Sequence, residues 1–139
     1  MDERTRHRRG MTVRRAVLGD AHVERAGRGT STLERAFQDL ITRYAWGEIW
    51  TRPGLPRRTR SLVTLAMLVA LDRPDELRLH LRAALRNGVT RDEITEVLLQ
   101  SAVYCGVPAA NVAVHIAVEV LGAANAPRPR APARRRSGP

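Results

Sequence analysis

The chain has 139 residues, 43% of them hydrophobic and 4% aromatic, with 24 arginines, no lysine and 14 acids, for a net charge of +10. That length suits one domain with a single core, and a lone cysteine, Cys105, excludes a disulfide framework or a cysteine-rich metal site. The charge is no nucleic-acid signature: five arginines follow Pro127 with no acid, which leaves 19 arginines against 14 acids before it, and no nucleic-acid motif or aromatic interleaving accompanies them.

Residues 1–10 are basic and lack an apolar segment, so they read as a flexible N-terminus and not as a secretory signal. The stretch 11–23 predicts a short helix ending near Gly19, and 27–31 a break. Ser31 and Glu34 have capping-box spacing. Leu33, Phe37, Leu40, Ile41 and Tyr44 then mark one face of an amphipathic helix, which Gly47 is expected to end before a turn at Pro53-Gly54. Pro56 opens a helix to about Leu71. Its segment 62–71 is apolar nearly all round, which predicts a central position or an oligomer interface, and is too short to cross a bilayer.

Pro74 starts the next helix, with Leu77, Leu81, Ala84 and Leu85 on one stripe and His80 at its edge, closed by Asn87-Gly88. Thr90 and Glu93 repeat the capping spacing ahead of an inner face of Ile94, Val97, Leu98, Ser101 and Cys105. Pro108 opens a last helix to about Ala123, with Val112, Ile116 and Val120 inward. Short-looped helical hairpins make residues 11–123 an all-α bundle. The Pro/Arg-rich tail 124–139 cannot bury enough apolar surface to fold and reads as disordered.

The stretch 44–71 holds both tryptophans, Trp46 and Trp50, of a chain with five aromatic residues. Large amphipathic rings beside Glu48 and Arg52 in a Gly/Pro-broken connection are the ingredients of a site, although such rings also cap cores.

Three blocks carry a resemblance: RRAVLGDAHV (14–23), WGEIWTRPGLPRRTRSLVTLAMLVAL (46–71) and ELRLHLRAALRNGVTRDEITEVLLQSAVYCGVPAAN (76–111). Together they resemble the carboxymuconolactone decarboxylase family over roughly residues 11–123. The resemblance implies an all-α bundle assembling into homo-oligomers, hexamers or trimers of dimers. It implies a cytoplasmic enzyme of the β-ketoadipate pathway that removes carbon dioxide from 4-carboxymuconolactone to give 3-oxoadipate enol-lactone. No cofactor, metal, nucleic acid or membrane is expected to take part. The wider family includes alkyl hydroperoxidase D-like proteins that use a cysteine pair. Cys105 alone cannot form the internal disulfide that such chemistry turns over. A thiol peroxidase and a basic oligomeric binding protein are the alternatives.

The implied reaction needs arginines for a dianion, fixed donors for a developing oxyanion, and a proton source. His80, on the apolar side of its helix, is the first candidate for donor or oxyanion stabiliser. Glu48 is the second, since apolar neighbours would favour its neutral form. His22 is a third, able to come from a neighbouring subunit. Arg52 and Arg60 are expected at substrate carboxylates, with Arg14 or Arg15 as runners-up, beside walls formed by Trp46, Trp50 and Cys105.

Overall fold

A computed structural model describes residues 1–29 and 31–124 of the chain. The described residues form seven α-helices and one π-helical segment, with no strand among them. Beyond Ala124, the expectation of a disordered tail lies outside the described residues.

The helix α1 (Glu3–Leu18) begins well before the expected start, and residues 3–10, read as flexible, form its first turns. Asp2 caps it by accepting from the Thr5 backbone N–H (2.9 Å), and Glu3 adds an acid where the helix dipole favours one. Glu3 also pairs with Arg6 and, across to the following layer, with Arg43 (2.7 Å). Gly19, at φ 85°, turns the chain into α2 (Asp20–Gly27).

Ser31 and Glu34 complete the capping box of α3 (Thr32–Ile41), as their spacing predicts. The helix does not stop at Gly47. It widens into a π-helical segment, Thr42–Ile49, whose closing bond runs from the Trp50 N–H to the Ala45 carbonyl, five residues back (2.9 Å). This segment lies against α1 with the two backbones in close approach. A Cβ on Gly47 would lie 2.4 Å from the Arg6 carbonyl oxygen, and one on Gly10 would lie 1.9 Å from that of Thr42. Two glycines thus let α1 and the π segment touch main chain to main chain. Gly47 serves that contact rather than a helix end.

The other four helices are α4 (Arg57–Ala70), α5 (Pro74–Arg86), α6 (Arg91–Cys105) and α7 (Val107–Ala124), packed as a bundle. Their core joins Leu65 and Val69 of α4, Leu77, Leu81 and Ala84 of α5, Ile94 and Leu98 of α6, and Ala113, Ile116 and Val120 of α7. Val112, expected inward, stays partly exposed, and Ala113 takes the inner position. The α4 helix buries only the stripe Ser61, Leu65 and Val69, while Val63 and Met67 face out. By length and composition α7 could reach across a membrane. One stripe of it, Ala110 to Val120, nevertheless packs into the bundle core.

A second, smaller core lies between the N-terminal layer and α5, where Val13, Val17, Leu18, Val23 and Trp46 meet Ala83 and Leu79. The α5 helix therefore serves two cores with two faces. His80 stands on it at their border.

Candidate active site

The π segment delivers two indoles to one side of α5. Trp46 and Trp50 stack with ring centroids 5.1 Å apart and planes 29° from parallel. The His80 imidazole completes the cluster, its ring centroid 6.5 Å from that of Trp46 and 6.4 Å from that of Trp50, with its plane nearly parallel to the first at 7°. Nδ1 of His80 is buried with no hydrogen-bond partner among the described residues. Burial, and then the nearby His22, pushes the His80 pKa down to about 4, because the charged ring would be poorly solvated there. At neutral pH this is an uncharged imidazole with a nitrogen left unpaired inside the protein. Such orphaned buried atoms are uncommon and mark places where a ligand can supply the missing bond.

His22 comes from α2 to the edge of the same cluster. Its pKa is lowered first by burial and then by the Arg14 guanidinium, with Arg25 and Arg86 adding and Glu76 opposing. The structure thus brings His22, His80, Trp46 and Trp50 together from three separate elements.

The arginines divide. Arg14 is 4% exposed and donates to Thr42 Oγ1 (3.1 Å) and Gln38 Oε1 (2.5 Å), tying α1 to the start of the π segment. Its Nε has no hydrogen-bond partner among the described residues, and it lines a 190 Å³ cavity between α1, α2 and α3. Arg60 donates to the Arg52 carbonyl (3.2 Å), which fixes the connection that carries Trp50 and Arg52. Arg52 itself lines an open groove of about 570 Å³ on the exposed side of Trp50, beside Arg8, Arg9 and Arg57.

Glu48 does not sit in apolar surroundings between the tryptophans. Its carboxylate faces Arg6 of α1 at 3.4 Å and its side chain is 41% exposed, so it links α1 to the π segment as a solvated ion pair. Cys105 lines a different cleft, between α4 and α6, with Leu62, Ser101 and Tyr104. Sequence reasoning missed Gln38 and Thr42 as partners of Arg14. It also missed Arg8 and Arg9, which belong to turns read as flexible.

The model of the carboxymuconolactone decarboxylase family matches residues 35–119, which hold the π segment and all of the α4–α7 bundle up to Glu119. The chain belongs to the carboxymuconolactone decarboxylase family. Both tryptophans, Glu48, Arg52, Arg60, His80 and Cys105 fall inside the matched region; Arg14 and His22 precede it. Among relatives, the 4-carboxymuconolactone decarboxylase of Acinetobacter baylyi is 52% identical over 121 residues, 87% of this chain and 90% of that one. The nitrosuccinic acid decarboxylase of Metarhizium robertsii is 49% identical over 106 residues, 73% of this chain and 74% of its own. A 4-carboxymuconolactone decarboxylase sequence from Pseudomonas putida, matched over its whole length, is 52% identical over 48 residues, 34% of this chain.

Proposed function

We propose that the protein decarboxylates 4-carboxymuconolactone to 3-oxoadipate enol-lactone, with the His80 imidazole meeting the oxyanion that forms as carbon dioxide leaves. The observation that carries this is the uncharged, unpaired imidazole stacked with two indoles, in a chain 52% identical to a 4-carboxymuconolactone decarboxylase. The two acids in the relatives' names share a chemical logic. Each carries two carboxyl groups and its own electron sink, a lactone carbonyl in one and a nitro group in the other.

In the lactone, the bond from C4 to the carboxylate breaks, and its electron pair moves through the ring C=C bond to the carbonyl oxygen. The resulting dienolate takes up one proton at the carbon beside that carbonyl. The substrate holds the electrons itself, so the protein has only to place donors and a proton. A neutral imidazole N–H in a dry aromatic cluster is a fixed donor; one such donor is typically worth about 3 kcal/mol, or some hundredfold in rate. A bound dianion beside the ring raises its affinity for a proton, which readies it for delivery. His22, at the same edge, is placed to pass a proton inward from solvent.

In this reading Arg52 grips a carboxylate and Arg60 holds Arg52 in place. Glu48 and Arg14 are positioning residues that fix the π segment against α1, and Cys105 takes no part. The protein acts in the cytoplasm as a homo-oligomer. The outer apolar faces of α4, α6 and α7 are the contact between copies, since Met67, Val103, Tyr104 and Val107 are large apolar side chains left exposed on these helices, Val103 and Tyr104 at 79% and 82%.

The test is to supply freshly made 4-carboxymuconolactone to the purified chain and follow carbon dioxide release, with nitrosuccinate in parallel. Release of one carbon dioxide per lactone is expected. Release from nitrosuccinate alone reassigns the substrate, and release from neither refutes the reading.

A further inference from the structure

Some arginines of this molecule pair with carboxylates, and others, in several parts of the fold, have no such partner among the described residues. Arg6, Arg15, Arg43, Arg58 and Arg78 all pair with carboxylates. Arg8, Arg9, Arg52 and Arg57 have no carboxylate partner among the described residues, and all four line one groove of about 570 Å³. Arg8 reaches only the Thr5 hydroxyl (3.4 Å), and Arg9 only the Met1 sulfur (3.6 Å). Trp50 and Leu55 supply an apolar wall. The groove also lies at the start of α4, whose first turn carries arginines and no acid and has no capping side chain. Four unneutralised guanidiniums at a positive helix end repel one another, a cost that a bound anion relieves.

We propose that this groove is a binding site for flat polycarboxylates, with Arg8, Arg9 and Arg57 as specificity-determining cations alongside Arg52. Guanidinium forks match carboxylates in bidentate fashion, and the indole face takes an unsaturated skeleton. Four cations exceed what one carboxylate needs, which selects ligands with two or more. That the natural ligand is the lactone dianion rests on the decarboxylase reading; that the groove binds polycarboxylates does not. Trp50 both lines the groove and stacks on His80, so a ligand first held in the groove has to pass that indole to reach the imidazole.

The experiment uses the full chain at low ionic strength, where exposed charges are least screened. Trp46 and Trp50 are the only tryptophans, so their emission reports occupancy. Benzene-1,3,5-tricarboxylate, benzoate and inorganic phosphate are titrated separately. The tricarboxylate is expected to bind about tenfold tighter than either of the others, a difference of about 1.4 kcal/mol. Arg8→Gln/Arg9→Gln and, separately, Arg57→Gln are expected to weaken it by about tenfold and several-fold, while Arg78→Gln, which matches the single charge change of Arg57→Gln elsewhere on the surface, leaves it unchanged. Equal binding of the three anions, or wild-type affinity in both groove variants, overturns the proposal. With the lactone as substrate, Arg8→Gln/Arg9→Gln should raise KM and spare kcat; an unchanged KM overturns capture of the substrate in the groove. If the tricarboxylate binds as expected but the lactone releases no carbon dioxide, the decarboxylase reading fails and the groove stands.

Discussion

Replacing Gly10 by alanine tests the contact on which the site's geometry depends. The added Cβ would lie 1.9 Å from the Thr42 carbonyl oxygen, 2.8 Å from the Gly47 nitrogen and 3.0 Å from the Thr42 carbonyl carbon. All three are backbone atoms, so no side chain can swing aside, and α1 must lift from the π segment by well over an ångström. Overpacking of this kind costs about 1–3 kcal/mol, and the upper end applies because main chain has to move. Alanine is worth about 1 kcal/mol over glycine inside a helix, which offsets part of that. A net loss of about 2 kcal/mol is expected, or a fall in Tm of roughly 4–8 °C for a domain of this size. Lifting α1 also stretches the Arg14–Thr42 hydrogen bond and disturbs the indole stack, so the near-ultraviolet circular dichroism of the tryptophans should change. The control is Gly54→Ala, where the new Cβ meets nothing within 4 Å; there, stability should stay within about 0.5 kcal/mol. Urea unfolding of the three proteins decides the matter. If Gly10→Ala is as stable as wild type with its tryptophan signal intact, the main-chain contact does not hold the π segment in place.

Two further expectations concern pH and assembly. His80 is neutral in the fold down to about pH 4, whereas in the unfolded chain it takes up a proton near 6.5. Stability from this group is therefore complete above 6.5, falls as acid protonates only the unfolded chain, and is lost at about 4. The full loss is up to about 3 kcal/mol, and His80→Gln should lack it when the two proteins are unfolded in urea between pH 7 and 4; parallel pH curves would refute the neutral, buried assignment. Val103→Asp with Tyr104→Asp places two charges on the outer apolar face and should shift the protein to monomer in sedimentation velocity. An unchanged sedimentation coefficient in that double variant would place the contact between copies elsewhere.

The α4–α7 bundle was legible in the sequence because each boundary carries its own local signal. Pro56 and Pro74 open helices, Asn87-Gly88 closes one, and Thr90 accepts from the Glu93 backbone as its spacing predicts (3.2 Å). Glu93 then turns its carboxylate to Arg58 and leaves the capping box half made. The π segment was not legible, since no periodicity of its own marks it and the glycines at its contact with α1, Gly10 and Gly47, meet carbonyls distant in sequence. The first turns of α1 escaped notice because their support is a cap, ion pairs and contact with the π segment, while their apolar content is low. Site residues fared unevenly for a similar reason. His80 and the tryptophans stand out by rarity and by an apolar setting. Which arginines lack acidic partners depends on distances across the fold, and so Arg8 and Arg9 could not be told from Arg6.

In the proposed reaction His80 stabilises the charge formed as the carboxylate departs. Single-turnover release of carbon dioxide from 4-carboxymuconolactone by His80→Ala, compared with wild type, addresses it most directly. The chemical step should slow by about a hundredfold or more, with the lactone still bound, as follows when a donor used chiefly in the transition state is removed. A His80→Ala protein that is folded and decarboxylates at the wild-type rate would contradict it.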